Sequence, residues 1–161
     1  MQTLMVKCGS RYRKASAAEI AEVAGDLARR ALNRLRPRFD EPQASREYLR
    51  TIYAGRDYET LSVLFLDAHH RLIECVELFR GSVTSATIHP REVAKEGLWR
   101  GCVSVILAHN HPSGEAFSSA EDQSITSKIR NALQLVEIRL MDHLIIGSGG
   151  ACYSMAEHGE L

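Results

Sequence analysis

The chain has 161 residues, of which 45% are hydrophobic and 25% charged, the proportions of a soluble domain that buries its own core. Lys+Arg and Asp+Glu number 20 each, so a globally basic nucleic-acid binder is excluded, although a local basic face is not. No window reaches the ~18 uncharged apolar residues of a membrane helix, and the N-terminus lacks the apolar run of a signal peptide. These features predict a cytoplasmic protein without membrane contact.

The charge is uneven. Residues 1–50 carry 11 Lys+Arg against 6 Asp+Glu, and residues 51–161 carry 9 against 14. The early arginines include Arg29, Arg30, Arg34, Arg36 and Arg38. They fit either the solvated face of a helix or an acid-binding arm. The four cysteines, Cys8, Cys75, Cys102 and Cys152, form no CxxC pair, which points to neither a cysteine zinc site nor a disulfide framework.

In chain order, Ser16-Ala17-Ala18-Glu19 reads as a capping box. Ile20, Val23, Ala24, Leu27, Ala31, Leu32 and Leu35 follow at helical spacing. Arg36-Pro37 ends that helix, and 36–43 reads as a linker. A second helix is predicted over Ser45–Ala54, with Gly55 as its stop. Strands are then predicted at 59–67, 72–79 and 82–88. His89-Pro90 starts a helix reaching about Trp99. The run 102–109 is almost wholly apolar, as in a buried central strand. Ser119 caps a helix to about Leu135, and strands follow at 138–147 and 151–154. This order predicts an α/β chain of α+β type with a mixed sheet flanked by helices. Residues 1–44 form a helical arm and linker, and 45–161 form the domain.

The stretch from His109 to Asp122 carries the chemistry. His109 and His111 lie two apart at a strand end, so the period of two points both imidazoles to one side. Pro112 and Gly114 turn the chain, and Asp122 falls in the first turn of the next helix. Two imidazoles and one carboxylate leave a fourth position for water, the ligand count of catalytic zinc. Ser119 can donate a hydroxyl to a developing oxyanion, and the base must be a carboxylate from elsewhere. Ser119 to Asp122 also fits a plain capping box, and the two roles are compatible. His143 reads as packing or hydrogen bonding near the sheet edge. Ser113 reads as turn chemistry, and His69-His70 as an exposed loop pair.

HxH, seven intervening residues beginning with Pro112, and SxxD resemble the JAMM (MPN+/JAB) metalloprotease motif. HNHPSG, GSVTSATIHPREV, DHLIIG and YSMAEHGEL resemble the RadC-like branch of that family, over roughly residues 45–161. The resemblance implies a JAB/MPN-like, cytidine-deaminase-like layered fold with a curved mixed sheet. It implies one Zn²⁺ per chain held by His109, His111 and Asp122, with catalytic Glu59 and Ser119. Glu74 and Glu77, on the next strand, are alternative bases. Where RadC-like sequences usually have Pro before the motif serine, this chain has Ser118, which predicts a looser loop. The helix-hairpin-helix region of longer members is not expected here.

The implied function is a zinc metallopeptidase or isopeptidase acting on a protein or peptide, with a nominal link to DNA repair. The alternative is a non-catalytic DNA-repair or mobile-element accessory protein that binds DNA or a protein partner. Only the arginine-rich first helix supports DNA binding, because phosphate contacts need clustered Lys and Arg. The apolar stripe of that helix also suits pairing in a homodimer. A zinc nucleobase deaminase would need HxE followed by PCxxC, and no PCxxC is present.

Overall fold

The structure, a computed structural model, describes residues 5–81, 89–112 and 114–161, without the side chains at 8, 26 and 28–34. The strand predicted at 82–88, the turn residue Ser113, and the side chains of Arg29, Arg30 and Arg34 lie outside the described residues. The chain divides into two units, Met1–Arg36 and Pro37–Leu161.

The smaller unit holds a hairpin, β1 (Met5–Cys8) and β2 (Arg11–Lys14), followed by helix α1 (Ala17–Leu35). The hairpin is an addition to the sequence reading. Its turn carries Gly9 at φ 62°, the left-handed conformation that tight hairpins require. The capping box forms: Ser16 N–H donates to Glu19 Oε2 at 2.9 Å, and Glu19 N–H donates to Ser16 Oγ at 3.2 Å. Arg13 grips the same carboxylate at 2.6 Å. Arg13 and Ser16 together hold the Glu19 carboxyl down at about 2.

The larger unit comprises α2 (Pro42–Tyr53), β3 (Thr60–Leu66), β4 (Leu72–Arg80), α3 (Pro90–Arg100), β5 (Ser104–Asn110), α4 (Ala120–Gln134), β6 (Arg139–Ile146) and β7 (Cys152–Ser154). Helix α2 begins three residues earlier than Ser45 because Pro42 occupies the first turn, where its missing N–H costs nothing. The linker is also shorter than 36–43. Arg38 bridges to Arg71, Leu72 N–H donates to Pro37 O at 2.8 Å, and Phe39 is buried.

The sheet order is β4-β3-β5-β6-β7, with only β5 and β6 parallel. Parallel neighbours need a long crossover, and α4 supplies it. Strand β5 is central and buried throughout, as its continuous apolar run predicts. Alternation along it splits the core in two. Ile106 and Ala108 face Phe39, Leu49 and Tyr53 on the α2 side. Val105 and Leu107 face Val93, Ile129 and Leu133 on the side of α3 and α4. The architecture is therefore the mixed α+β sandwich expected of a JAB/MPN-like domain.

Candidate metal centre

Period two carries the second alternation of β5 on to its end. His109 follows Val105 and Leu107 onto the α4 side, and Asn110 follows Ala108 onto the α2 side. In the antiparallel pairing, Leu61 stands opposite His109. Continuing that register by two residues sets Glu59 opposite His111. Directly opposed residues share a face. Glu59, His109 and His111 accordingly bring one ligand atom each to within 4.8 Å of one another.

The tautomers of both histidines follow from two backbone carbonyls, which can only accept. Thr126 Oγ1 lies 2.5 Å from Asp122 O, so its hydroxyl donates there. Thr126 Oγ1 is also 2.6 Å from His143 Nδ1, so that nitrogen carries a proton and donates to Thr126. His143 Nε2 is then an acceptor, and His109 Nδ1–H donates to it at 2.8 Å. This leaves a lone pair on His109 Nε2. His111 Nδ1–H donates to Glu115 O at 3.2 Å, which leaves a lone pair on His111 Nε2 as well. The two Nε2 atoms face each other at 2.9 Å, and Asp122 Oδ1 lies 3.3 Å from His109 Nε2.

Acceptors so close repel unless a cation stands between them. The buried His109 imidazole does not supply that charge itself. Burial pushes the His109 imidazolium down to about 4, opposed by Asp122 and reinforced by His111. Burial, with His109 and His111 adding to it, sets His143 well below the ordinary histidine value. Two neutral imidazole nitrogens and a carboxylate are a donor set suited to zinc. Tetrahedral zinc with bonds of about 2.0–2.1 Å separates its ligand atoms by roughly 3.3 Å, close to the His109–Asp122 distance.

Asp122 is buried and used three ways. Its carbonyl anchors Thr126. Its Oδ2 accepts from Ser119 N–H at 2.9 Å and from Ser119 Oγ at 2.7 Å, completing the capping box of α4. Its Oδ1 faces His109. Ser119 thus spends its hydroxyl proton on Asp122. Glu74 and Glu77 pair with Arg100 at 2.8 Å and Arg56 at 2.5 Å.

Three further side chains, His143, Thr126 and Asn110, support the donor cluster. His143 and Thr126 set the His109 tautomer, a role that the 34 residues separating the two histidines conceal. Asn110, between the motif histidines, grips the chain on both sides of Glu59. Its Oδ1 accepts from Thr60 N–H at 2.9 Å, and its Nδ2 donates to Tyr58 O at 2.8 Å. Ser118, standing where RadC-like sequences usually have proline, is hydrogen-bonded to the C-terminal segment. Its hydroxyl donates to Glu160 Oε2 at 2.6 Å, and Tyr153 holds the other oxygen at 2.7 Å.

A mixed sheet flanked by helices, with two histidines and a carboxylate at the end of its central strand, defines a JAB-type domain. The RadC-like JAB domain family matches residues 39–160, and the chain belongs to that family. It is 46% identical over 139 residues to a UPF0758 protein of Janthinobacterium sp. (strain Marseille), covering 84% of this chain and 62% of that relative. It is 48% identical over 139 residues to a UPF0758 protein of Variovorax paradoxus (strain S110), covering 84% and 61%. A UPF0758 protein of Polaromonas sp. (strain JS666 / ATCC BAA-500) is 47% identical over 150 residues, covering 91% and 66%. The chain therefore spans about six-tenths of the length of these relatives. No helix among the described residues is long and apolar enough to cross a membrane.

Proposed function

We propose that this chain is a zinc-dependent hydrolase of the JAMM type, a metallopeptidase or isopeptidase that cuts a peptide or amide bond of a protein or peptide in the cytoplasm. The observation that carries this reading is the pair of His109 and His111 lone pairs facing each other at 2.9 Å, within reach of Glu59. His109, His111 and Asp122 would hold one zinc per chain. Bound there, zinc supplies a Lewis acid for the scissile carbonyl and a water whose pKa falls towards ~7. Glu59 accepts the proton of the attacking water and passes it to the departing amine. Ser119 donates to the developing oxyanion once its hydroxyl turns from Asp122. His143 and Thr126 keep the His109 lone pair directed at the site throughout. The link to DNA repair comes only with the RadC-like resemblance.

Metal analysis of untagged protein tests the reading. Wild type and Glu59→Gln should each carry one zinc, whereas His109→Ala with His111→Ala should carry none and Asp122→Asn little. Full zinc in the double variant would overturn the site. Against a panel of peptide and isopeptide substrates, Glu59→Gln should lose roughly 10²-fold in turnover. If Glu59→Gln loses zinc and Asp122→Asn keeps it, the two carboxylates exchange roles.

A further inference from the structure

Beside the metal centre, a cavity of about 420 Å³ opens outside the ends of the parallel strands β5 and β6. That is where open α/β sheets bind ligands. His111 forms part of its wall, whereas Glu59, His109 and Asp122 do not. Tyr53, Pro112 and Ile146 give it apolar surface. Gly147, Gly149 and Gly150 line another side without side chains, and a Cβ at Gly149 would meet open space.

The charge of this cavity is one-sided. Arg50 and Arg56 line it, and no carboxylate does. Arg56 is neutralised by Glu77 at 2.5 Å. Arg50 has no ion-pair partner among the described residues. Its Nε donates to Gly150 O at 2.6 Å, which orients the guanidinium and leaves its two terminal nitrogens as a parallel pair of donors. That fork matches a carboxylate. The volume lies at the small end of ligand sites and spans roughly two extended residues at about 3.4 Å each.

We propose that this cavity is the C-terminal subsite of the substrate, where Arg50 binds the free α-carboxylate of a short peptide or N-acyl amino acid whose scissile amide lies beside His111. The proposal rests on the hydrolase reading for the fate of the ligand and not for its binding. Water adds across the amide: the C–N bond breaks, a C–O bond forms, and a water proton leaves on the amine. The leaving fragment is then a free amino acid or a dipeptide.

Calorimetric titration with N-acetyl-Ala-Ala and its C-terminal carboxamide tests the subsite. The acid should bind at least about tenfold more tightly than the amide. Arg50→Gln should abolish that preference with melting temperature and zinc content unchanged, and Arg50→Lys should restore part of it. Equal binding of acid and amide, binding of neither, or a preference that survives Arg50→Gln overturns the proposal. Inorganic phosphate that competes more strongly than the acid also overturns the assignment to a carboxylate. Protein without zinc that keeps an Arg50-dependent acid preference would defeat the hydrolase reading and leave the subsite standing.

Discussion

Asn110 Oδ1 accepts the backbone N–H of Thr60 at 2.9 Å, across the junction of β5 and β3. With the second bond, from Nδ2 to Tyr58 O, one buried amide holds the backbone on either side of Glu59. Asn110→Ala leaves both backbone groups without that partner and should cost about 1–3 kcal/mol in denaturant titrations. Turnover should fall by roughly tenfold or more, because small displacements of a reacting group are expensive. Zinc content should not change. Asn110→Asp keeps the acceptor and loses the donor, and should fall between. Unchanged turnover in Asn110→Ala would show that Glu59 needs no such grip.

His143 is behind His109 and should act on metal affinity. His143→Ala removes the acceptor that orients the His109 ring, and an effect of about 10–100-fold on zinc affinity is expected. Competition against a chelator measures it. Thr126→Val removes the hydroxyl that takes the His143 proton and should weaken zinc in the same direction by less. Nitrogen chemical shifts of the His109 ring should show the Nδ1–H form in wild type and a mixture in His143→Ala.

The metal-free fold should be acid-sensitive. His109 is held at about 4 against an ordinary 6.5, and His143 is also well below that value. Below 6.5 the unfolded chain takes up protons that the folded chain refuses. Stability is therefore complete above 6.5 and is lost as pH falls through 6.5 towards 4. The slope should be about 1.4 kcal/mol per pH unit for each such histidine. Denaturation of chelator-treated protein should show a clearly lower midpoint at pH 5 than at pH 7. Equal midpoints would mean that the buried histidines titrate normally.

The two units predict where the chain can be shortened. A chain starting at Pro37 keeps buried Phe39 and the bond from Leu72 N–H to Pro37 O. It should fold and bind zinc as the full chain does. A chain starting at Pro42 loses both and should be less stable by about 3–5 kcal/mol, the usual cost of removing a buried phenylalanine. Thermal melts of the two would separate these outcomes.

Local pattern made most of the sheet readable. β5 declared itself by an apolar run, and His109 and His111 shared a face by period two. Ser119 and Asp122 signalled a helix start through short-range capping chemistry. Relationships across the sheet were not readable. That Glu59 stands opposite His111 depends on the register of β3 against β5. That His143 stands behind His109 depends on the parallel register of β6, reached through the α4 crossover. The hairpin at 5–14 escaped because its strands are short and largely exposed, so they carry little hydrophobic alternation. The bond from Ser118 to Glu160 was equally hidden, because 42 positions separate the two residues.

Gly147 has backbone where other residues have a side chain. A Cβ there would lie 2.7 Å from Ala116 N and 2.8 Å from Gly114 O, too close for any L side chain. Main-chain bonds close the same seam, from Ser148 N–H to Gly114 O and from His111 N–H to Ile146 O, both 2.8 Å. The strip carrying His111 and the strip bordering the Arg50 cavity are thus stitched by atoms that most substitutions leave in place. A change at Ser148, which lines the cavity, can alter its wall while the imidazole keeps its position. Gly147, Asn110 and His111 instead border both the cavity and the donor cluster.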